Sequence, residues 1–132
     1  MKGDSEAMKW MLMIPMLMFF SVLNVNAEEP QLERVNATIY CSGHTTADGS
    51  PIREGICAVA PDHIGQTVLI YTLDRELIGI WEAKDTGGQT IKDGHVIDVY
   101  FSSEDAGKEF IRKTYENDAH GKVLIQYVDA DG

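Results

Sequence analysis

Two aspartates, Asp85 and Asp98, stand at the two ends of a loop that is rich in glycine and polar residues. Asp98 has the apolar neighbours Ile97, Val99 and Tyr100. Apolar surroundings and a second carboxylate nearby both raise the pKa of a carboxyl group, which then keeps its proton near neutral pH. Such a group can act as a general acid and, once ionised, as a general base. The alternative is that both aspartates cap turns by accepting hydrogen bonds from backbone amides.

The elements that must hold these aspartates are short β-strands. Six β-prone runs alternate with turn-forming residues, and they lie at residues 35–40, 56–59, 67–73, 76–83, 96–101 and 122–128. The third and fourth runs are close enough in sequence to form a hairpin, which turns at Asp74-Arg75. Strands of this length, separated by short turns, are typical of small barrels and sandwiches.

One helix is predicted at residues 102–117, where Ser102 or Ser103 can cap the first turn. Helical spacing places five residues on one face: Ala106, Phe110, Ile111, Thr114 and Tyr115. Together with the six strands, this predicts a mainly β fold, a small closed six-stranded barrel with one crossover α-helix.

The first 27 residues predict a secretory signal peptide. Two lysines precede an apolar run at residues 10–25, and Val-Asn-Ala at residues 25–27 has the small residues of a cleavage site. The run is shorter than the roughly 20 residues that span a bilayer, although an uncleaved anchor is the alternative. We therefore expect cleavage near Ala27, which leaves residues 28–132 as one domain, secreted or in the cell envelope, without stable membrane association.

The charge of the chain restricts its partners. There are 11 Lys and Arg residues against 21 Asp and Glu residues, a formal net charge of −10. Because nucleic acids and anionic membranes repel such a surface, neither is an expected partner. We expect a monomer that needs no cofactor.

Two cysteines, Cys41 and Cys57, are present. In an exported protein this number predicts a disulfide, and closing a loop of this size contributes roughly 3 kcal/mol to stability. Zinc is the alternative, because Cys41, His44 and Cys57 all offer ligand atoms. A structural zinc site needs four ligands and usually a Cys-x-x-Cys pair, so the sequence favours the disulfide and no metal.

Four segments follow one another in an order that resembles a known family. They are TADGSPIREG at residues 46–55, CAVAPDHIGQTVLIY at 57–71, WEAKDTGGQTIKDGHVIDVYF at 81–101 and GKVLIQYV at 121–128. Together they resemble the 3D domain, a double-psi β-barrel named for three aspartates. That domain is found in bacterial cell-wall lytic enzymes such as the MltA-type lytic transglycosylases and the stationary-phase survival muralytic proteins.

The resemblance implies specific roles for the aspartates. Asp98 corresponds to the catalytic acid/base, and Asp85 corresponds to its companion. The third aspartate of the family stands in a Val-Asp-Pro step, which here reads Val59-Ala60-Pro61 and is followed by Asp62. The implied activity is that of a peptidoglycan lytic transglycosylase, which cleaves the bond between N-acetylmuramic acid and N-acetylglucosamine and leaves a 1,6-anhydro end. One carboxyl group can perform both proton transfers in such a reaction.

Five residues are candidates for binding the glycan substrate. Gly87 and Gly88 let the backbone approach a bulky sugar, and Thr86 stands beside them. Thr46 and Tyr40 are expected to line the cleft, although each is also compatible with ordinary packing at a strand edge.

Two alternative functions remain at this point. The first is a non-catalytic glycan-binding barrel, similar to expansin- or barwin-like domains, which share the architecture. The second is a dimeric aspartic protease, because Asp85-Thr86-Gly87 matches the signature tripeptide of those enzymes. The Ile-x-Gly-Arg element that such proteases carry later in the chain is missing here.

Overall fold

Six β-strands close into one barrel. The computed structural model describes residues 31–43 and 45–130, and the predicted signal peptide at residues 1–27 lies outside them. The strands are β1 (Glu33–Tyr40), β2 (Ile56–Ala58), β3 (Gln66–Tyr71), β4 (Leu77–Asp85), β5 (Val96–Tyr100) and β6 (Lys122–Asp129). Around the barrel their order is β1-β5-β2-β4-β3-β6. Two neighbouring pairs, β1 with β5 and β2 with β4, are parallel, and the other pairs are antiparallel.

The predicted six-stranded barrel is therefore confirmed, and each predicted strand agrees with an observed one to within two residues at either end. The hairpin between β3 and β4 turns where it was predicted. Arg75 N donates to Thr72 O at 2.9 Å, and Arg75 adopts φ +68°. This left-handed conformation is what a tight reversal requires.

The barrel interior is filled by alternate residues of each strand, as expected from the period of two in a β-strand. Its buried side chains are small and β-branched for the most part: Val35, Ala37, Cys57, Val68, Ile70, Ala83, Ile97, Val99, Val123 and Ile125. Because the barrel closes on itself, no strand in it presents a free edge. The opposite face of every strand is the outer face of the barrel.

Two α-helices connect the strands: α1 (Gln89–Lys92) and α2 (Glu104–Thr114). The predicted helix is α2, which runs from β5 to β6. Ser103 caps it, since its side chain accepts a hydrogen bond from Ala106 N at 3.3 Å. Phe110 docks α2 onto the barrel between Trp81 and Phe101, at ring-centroid distances of 5.6 and 5.4 Å.

The C-terminal end of the predicted helix was wrong. The α-helix ends at Thr114, and a 3₁₀ turn at Glu116–Asp118 follows. Asn117 adopts φ +54°, which an α-helix does not allow. Tyr115 was predicted to lie on the buried face, but because it comes after the last helical turn it is 60% exposed.

Among the described residues, no helix is long and apolar enough to cross a membrane.

Both cysteines are free thiols, which contradicts the predicted disulfide. Cys57 pairs with Val99 on one side of β5, whereas Tyr40, the residue before Cys41, pairs with Tyr100 on the other side. Two inter-strand spacings amount to about 9–10 Å, and a disulfide needs Cα atoms within about 7 Å. The Cys57 thiol points into the core, where its sulfur lies 3.7 Å from Glu82 O. His44, the third residue of the zinc alternative, lies outside the described residues.

The two thiols are expected to react at very different rates. Cys57 is buried, and burial raises the pKa of its thiol to about 12, so little thiolate forms. A thiol reagent added to the native protein should label Cys41 alone, and unfolding should release a second reactive thiol. Cys41→Ser is the control, because it should remove only the rapid label. A denatured, unreduced protein with no reactive thiol would instead support the disulfide.

Candidate active site

Asp85 and Asp98 lie in one row across four neighbouring strands. Ala58 on β2 pairs with Asp98 on β5 and with Asp85 on β4. On the other side of β5, Asp98 pairs with Thr38 of β1. Residues that are directly opposite in a sheet point to the same face. Ala58 faces away from the core, because its neighbour Cys57 faces into it, and the row therefore lies on the outer face of the barrel.

An irregularity in β4 brings Asp85 into this row. Ala83 faces the core opposite Cys57, and simple alternation along β4 would turn Asp85 into the core as well. The pairing register shifts by one residue between Cys57 and Ala58, so that Ala58 meets Asp85 instead of Lys84. Such a β-bulge re-aims the side chains that follow it. Here it places the Asp85 carboxylate on the same face as Asp98.

Asp98 is a half-buried carboxyl group whose pKa is raised. Burial is the main cause, because it disfavours the charged form, and the charge of Asp85 raises the pKa further. The Thr38 hydroxyl donates to Asp98 Oδ1 at 2.8 Å and opposes both effects in part. The net effect is a raised pKa, as the apolar neighbours of Asp98 in the sequence predict. A carboxyl group in this state is suited to donate a proton.

Asp85 is held by three donors. Its Oδ1 accepts hydrogen bonds from the backbone amides of Ala47 at 3.0 Å and Thr86 at 2.9 Å. Its Oδ2 accepts from the Tyr40 hydroxyl at 3.3 Å. The amide contacts are those expected of an aspartate that caps a turn, so this alternative describes part of the role of Asp85. The same contacts also fix its carboxylate in the row.

Tyr40 on β1 contacts the aspartate on β4. Its hydroxyl donates to Asp85 Oδ2 at 3.3 Å. Burial raises the pKa of the Tyr40 hydroxyl, and Asp85 and Asp98 add to the effect. Tyr40 therefore stays protonated and donates, while its ring packs edge-on against Tyr100 with centroids 5.4 Å apart.

The other predicted substrate-binding residues are in different environments. Thr46 is buried, and its hydroxyl bonds within its own loop, to Asp48 Oδ1 at 2.6 Å. Gly87 allows close packing, because a Cβ there would lie 2.6 Å from Ile91 Cδ1. Gly88 precedes α1 and faces open space, with nothing within 4 Å of the place where a Cβ would be. Of these residues, Gly88 offers the most room for a sugar.

Thr86 has an unusual hydroxyl. The Oγ1 atom is buried and has no hydrogen-bond partner among the described residues. An unpaired buried hydroxyl costs about 1–3 kcal/mol, so such groups are rare. Because Thr86 directly follows Asp85, this unsatisfied donor and acceptor lies beside the row of aspartates.

The resemblance to the 3D domain implies a third aspartate, and no residue in the row of Asp85 and Asp98 corresponds to it. Ala60 occupies that position and starts a 3₁₀ turn at Pro61–His63. Asp62 lies in this turn and is exposed to solvent. Among the hydrogen bonds of the described residues, none joins Asp62 to Asp85 or Asp98. The carboxylates that the structure brings together are therefore the two predicted from the loop.

Sequence reasoning missed two residues that contact the aspartates, Thr38 and Ala47. Thr38 lies two residues before Tyr40 on β1, so the two side chains point to the same face of the strand. Once Tyr40 was a candidate, this period of two could have identified Thr38 as well. Its position opposite Asp98 depends on the register between β1 and β5, which no local signal reveals. Ala47 contributes through its backbone amide, for which the sequence carries no signal.

Within residues 31–43 and 45–130, no three His, Cys, Asp or Glu side chains are grouped in a way that would hold a metal ion. No protein-family model matches this sequence, and no curated protein sequence matches it significantly.

Proposed function

We propose that this chain is a lytic transglycosylase of the 3D-domain type that acts on peptidoglycan glycan strands in the cell envelope, with Asp98 as its acid/base. The observation that carries the proposal is the half-buried Asp98 with a raised pKa, in one row with Asp85 on the outer face of the barrel. A raised pKa favours the protonated carboxyl group, which is the form that donates a proton to the leaving oxygen of a glycosidic bond.

In the proposed reaction Asp98 acts twice. It first donates its proton to the oxygen between N-acetylmuramic acid and N-acetylglucosamine while the bond from that oxygen to muramyl C1 breaks. The resulting Asp98 carboxylate then accepts the proton of the muramyl 6-hydroxyl, whose oxygen bonds to C1 and closes a 1,6-anhydro ring. No water is consumed, and Asp98 ends the cycle protonated. One carboxyl group thus performs both steps, unlike the two-carboxylate hydrolases.

Asp85 and Tyr40 support Asp98 in this mechanism. The negative charge of Asp85 helps Asp98 to keep its proton, and the Tyr40 hydroxyl fixes the orientation of Asp85. We assign Gly88 to a substrate contact, because it lies three residues after Asp85 and faces open space.

A non-catalytic glycan-binding barrel is the second candidate. It is favoured by one observation: Ala60 replaces the third aspartate of the resembling family, and Asp62 is exposed rather than part of the row. A mechanism that needs three carboxylates cannot operate here, whereas the single-carboxylate mechanism above does not require the third.

Mass spectrometry of purified peptidoglycan incubated with the protein separates the candidates. We expect soluble fragments that carry 1,6-anhydro-muramyl ends, because an internal hydroxyl and not water attacks C1. Fragments with reducing ends would indicate a hydrolase instead. Binding of the protein to peptidoglycan without any release of fragments would favour the glycan-binding barrel.

A further inference from the structure

The segment between β1 and β2 contacts β4 beside the aspartates. It is bonded to β4 through Ala47 N to Asp85 at 3.0 Å and Asp48 N to Lys84 O at 3.2 Å. Near its end, Glu54 accepts a hydrogen bond from the amide of Ser102, which continues the antiparallel pairing of β2 with β5. The segment is thus anchored to β4 directly beside Asp85.

A tight turn at residues 46–50 forms the part of this segment that touches Asp85. Its backbone is closed by Thr46 N to Ser50 O at 2.9 Å and by Gly49 N to Thr46 O at 3.0 Å. Gly49 adopts φ +88°, a left-handed conformation that glycine allows without strain. The Ala47 amide, which lies in this turn, points at the Asp85 carboxylate.

The Asp48 side chain organises the turn from within. Its Oδ1 accepts from the Thr46 hydroxyl at 2.6 Å, from Ser50 N at 2.9 Å and from the Ser50 hydroxyl. Its Oδ2 accepts from Lys84 Nζ at 3.2 Å, which ties the turn to β4. The hydrogen bonds from Ser50 and Thr46 hold the pKa of Asp48 well below its usual range, so the side chain stays ionised and remains an acceptor. Lys84 Nζ also lies 4.0 Å from Glu82.

We infer that Asp48 is a positioning residue, which holds the turn at residues 46–50 so that the Ala47 amide fixes the Asp85 carboxylate beside Asp98. The inference rests on the proposed function for its consequence in catalysis, but the positioning itself is measurable without any substrate. Asp48 does not touch the row and acts only through Ala47 and Asp85.

The environment of Asp98 predicts what the loss of Asp48 would change. Three titratable groups interact electrostatically with Asp98. They are Asp85 on β4, Tyr40 on β1 and Cys57 on β2. Of these, Asp85 is the one bonded to the turn, since Ala47 N reaches its Oδ1. If the turn loosens, Asp85 loses a fixed position beside Asp98, and its contribution to the raised pKa of Asp98 should decrease.

The test compares Asp48→Ala with Asp48→Asn and with the control Asp62→Ala. The asparagine oxygen can accept the bonds of Oδ1, whereas its amide nitrogen cannot accept from Lys84, so this variant keeps the bonds within the turn and loses the ion pair. Asp62 is exposed, so its replacement makes the same change in net charge away from the turn. Amide hydrogen exchange reports on Ala47, carbon NMR titration reports on the Asp98 carboxyl, and the pH profile of fragment release reports on catalysis.

We expect Asp48→Ala to speed exchange of the Ala47 amide about tenfold or more, because the turn opens more often. The Asp98 titration and the alkaline limb of the activity profile should both move to lower pH. Asp48→Asn and Asp62→Ala should retain native exchange within about twofold. If Asp48→Ala does not fold, Ser50→Ala replaces it in the test, because this substitution removes one hydrogen-bond donor to Asp48. It should produce the same changes with a smaller magnitude.

Native Ala47 exchange together with a native Asp98 titration in Asp48→Ala would overturn the inference. Equal effects of Asp62→Ala would overturn it as well, because net charge alone would then be the cause. A wild-type protein that releases no fragments would refute the proposed function instead, and the two NMR measurements would still decide the role of Asp48.

Discussion

Asp98→Asn is expected to lower the rate of fragment release from peptidoglycan by a factor of about 100 or more, as the loss of a general acid does. The asparagine side chain has nearly the same shape and can still accept the hydrogen bond from Thr38, so the fold and the binding of glycan should survive. It has no proton to transfer to the leaving oxygen. Initial rates on purified peptidoglycan, with a sedimentation assay for binding, measure the two properties separately.

The pH dependence of the native protein provides an independent check. The first step needs protonated Asp98, so activity should decline as the pH rises through the raised pKa of this group. Asp62→Asn is the matched control, because it removes an exposed carboxylate outside the row and should leave the rate unchanged. If Asp98→Asn releases fragments as fast as the native protein, Asp98 is not the acid.

Phe110→Ala is expected to lower the free energy of unfolding by about 3–5 kcal/mol, the usual cost of deleting a buried phenylalanine ring. Phe110 is 4% exposed and packs against the rings of Trp81 and Phe101. For a domain of about 100 residues, this loss corresponds to a decrease in Tm of roughly 12–30 °C. Thermal unfolding followed by circular dichroism measures it.

Ile80→Ala is the control for this prediction. Ile80 is an apolar residue of β4 that is 59% exposed, so its truncation leaves no cavity. The expected loss is below about 1 kcal/mol, as for most surface substitutions. A similar loss in both variants would mean that α2 does not depend on the Phe110 contact for its docking.

The strands were predictable because their signal is local. A β-strand with one buried face alternates apolar and polar residues, and turn residues mark its ends whatever its partners are. Val35 to Thr38 shows the rule, since Val35 and Ala37 are buried whereas Asn36 and Thr38 are exposed. The short helix α1 was missed for the same reason. Its four residues, Gln89–Lys92, form about one turn and carry no periodic pattern.

Part of the candidate site was predictable in the same local way. The apolar neighbours of Asp98 predict burial, and burial is the main cause of its raised pKa. The sequence also predicts that the two aspartates stand on either side of one loop, and Asp85 is the last residue of β4 while Asp98 lies within β5. Thr46 was predicted to line the cleft, whereas its hydroxyl bonds to Asp48 within the turn.

By itself the sequence determined six strands, one docking helix and a carboxyl group at position 98 in apolar surroundings. The tertiary structure alone decided which side chains meet that group. The β-bulge turns Asp85 to the outer face, and the parallel register of β1 and β5 places Thr38 opposite Asp98. The positions of β1 and β2 on opposite sides of β5 keep Cys41 and Cys57 apart. Register and strand order depend on contacts between residues far apart in the chain, and a one-residue shift reverses the face of every side chain that follows it, so no local pattern can specify them.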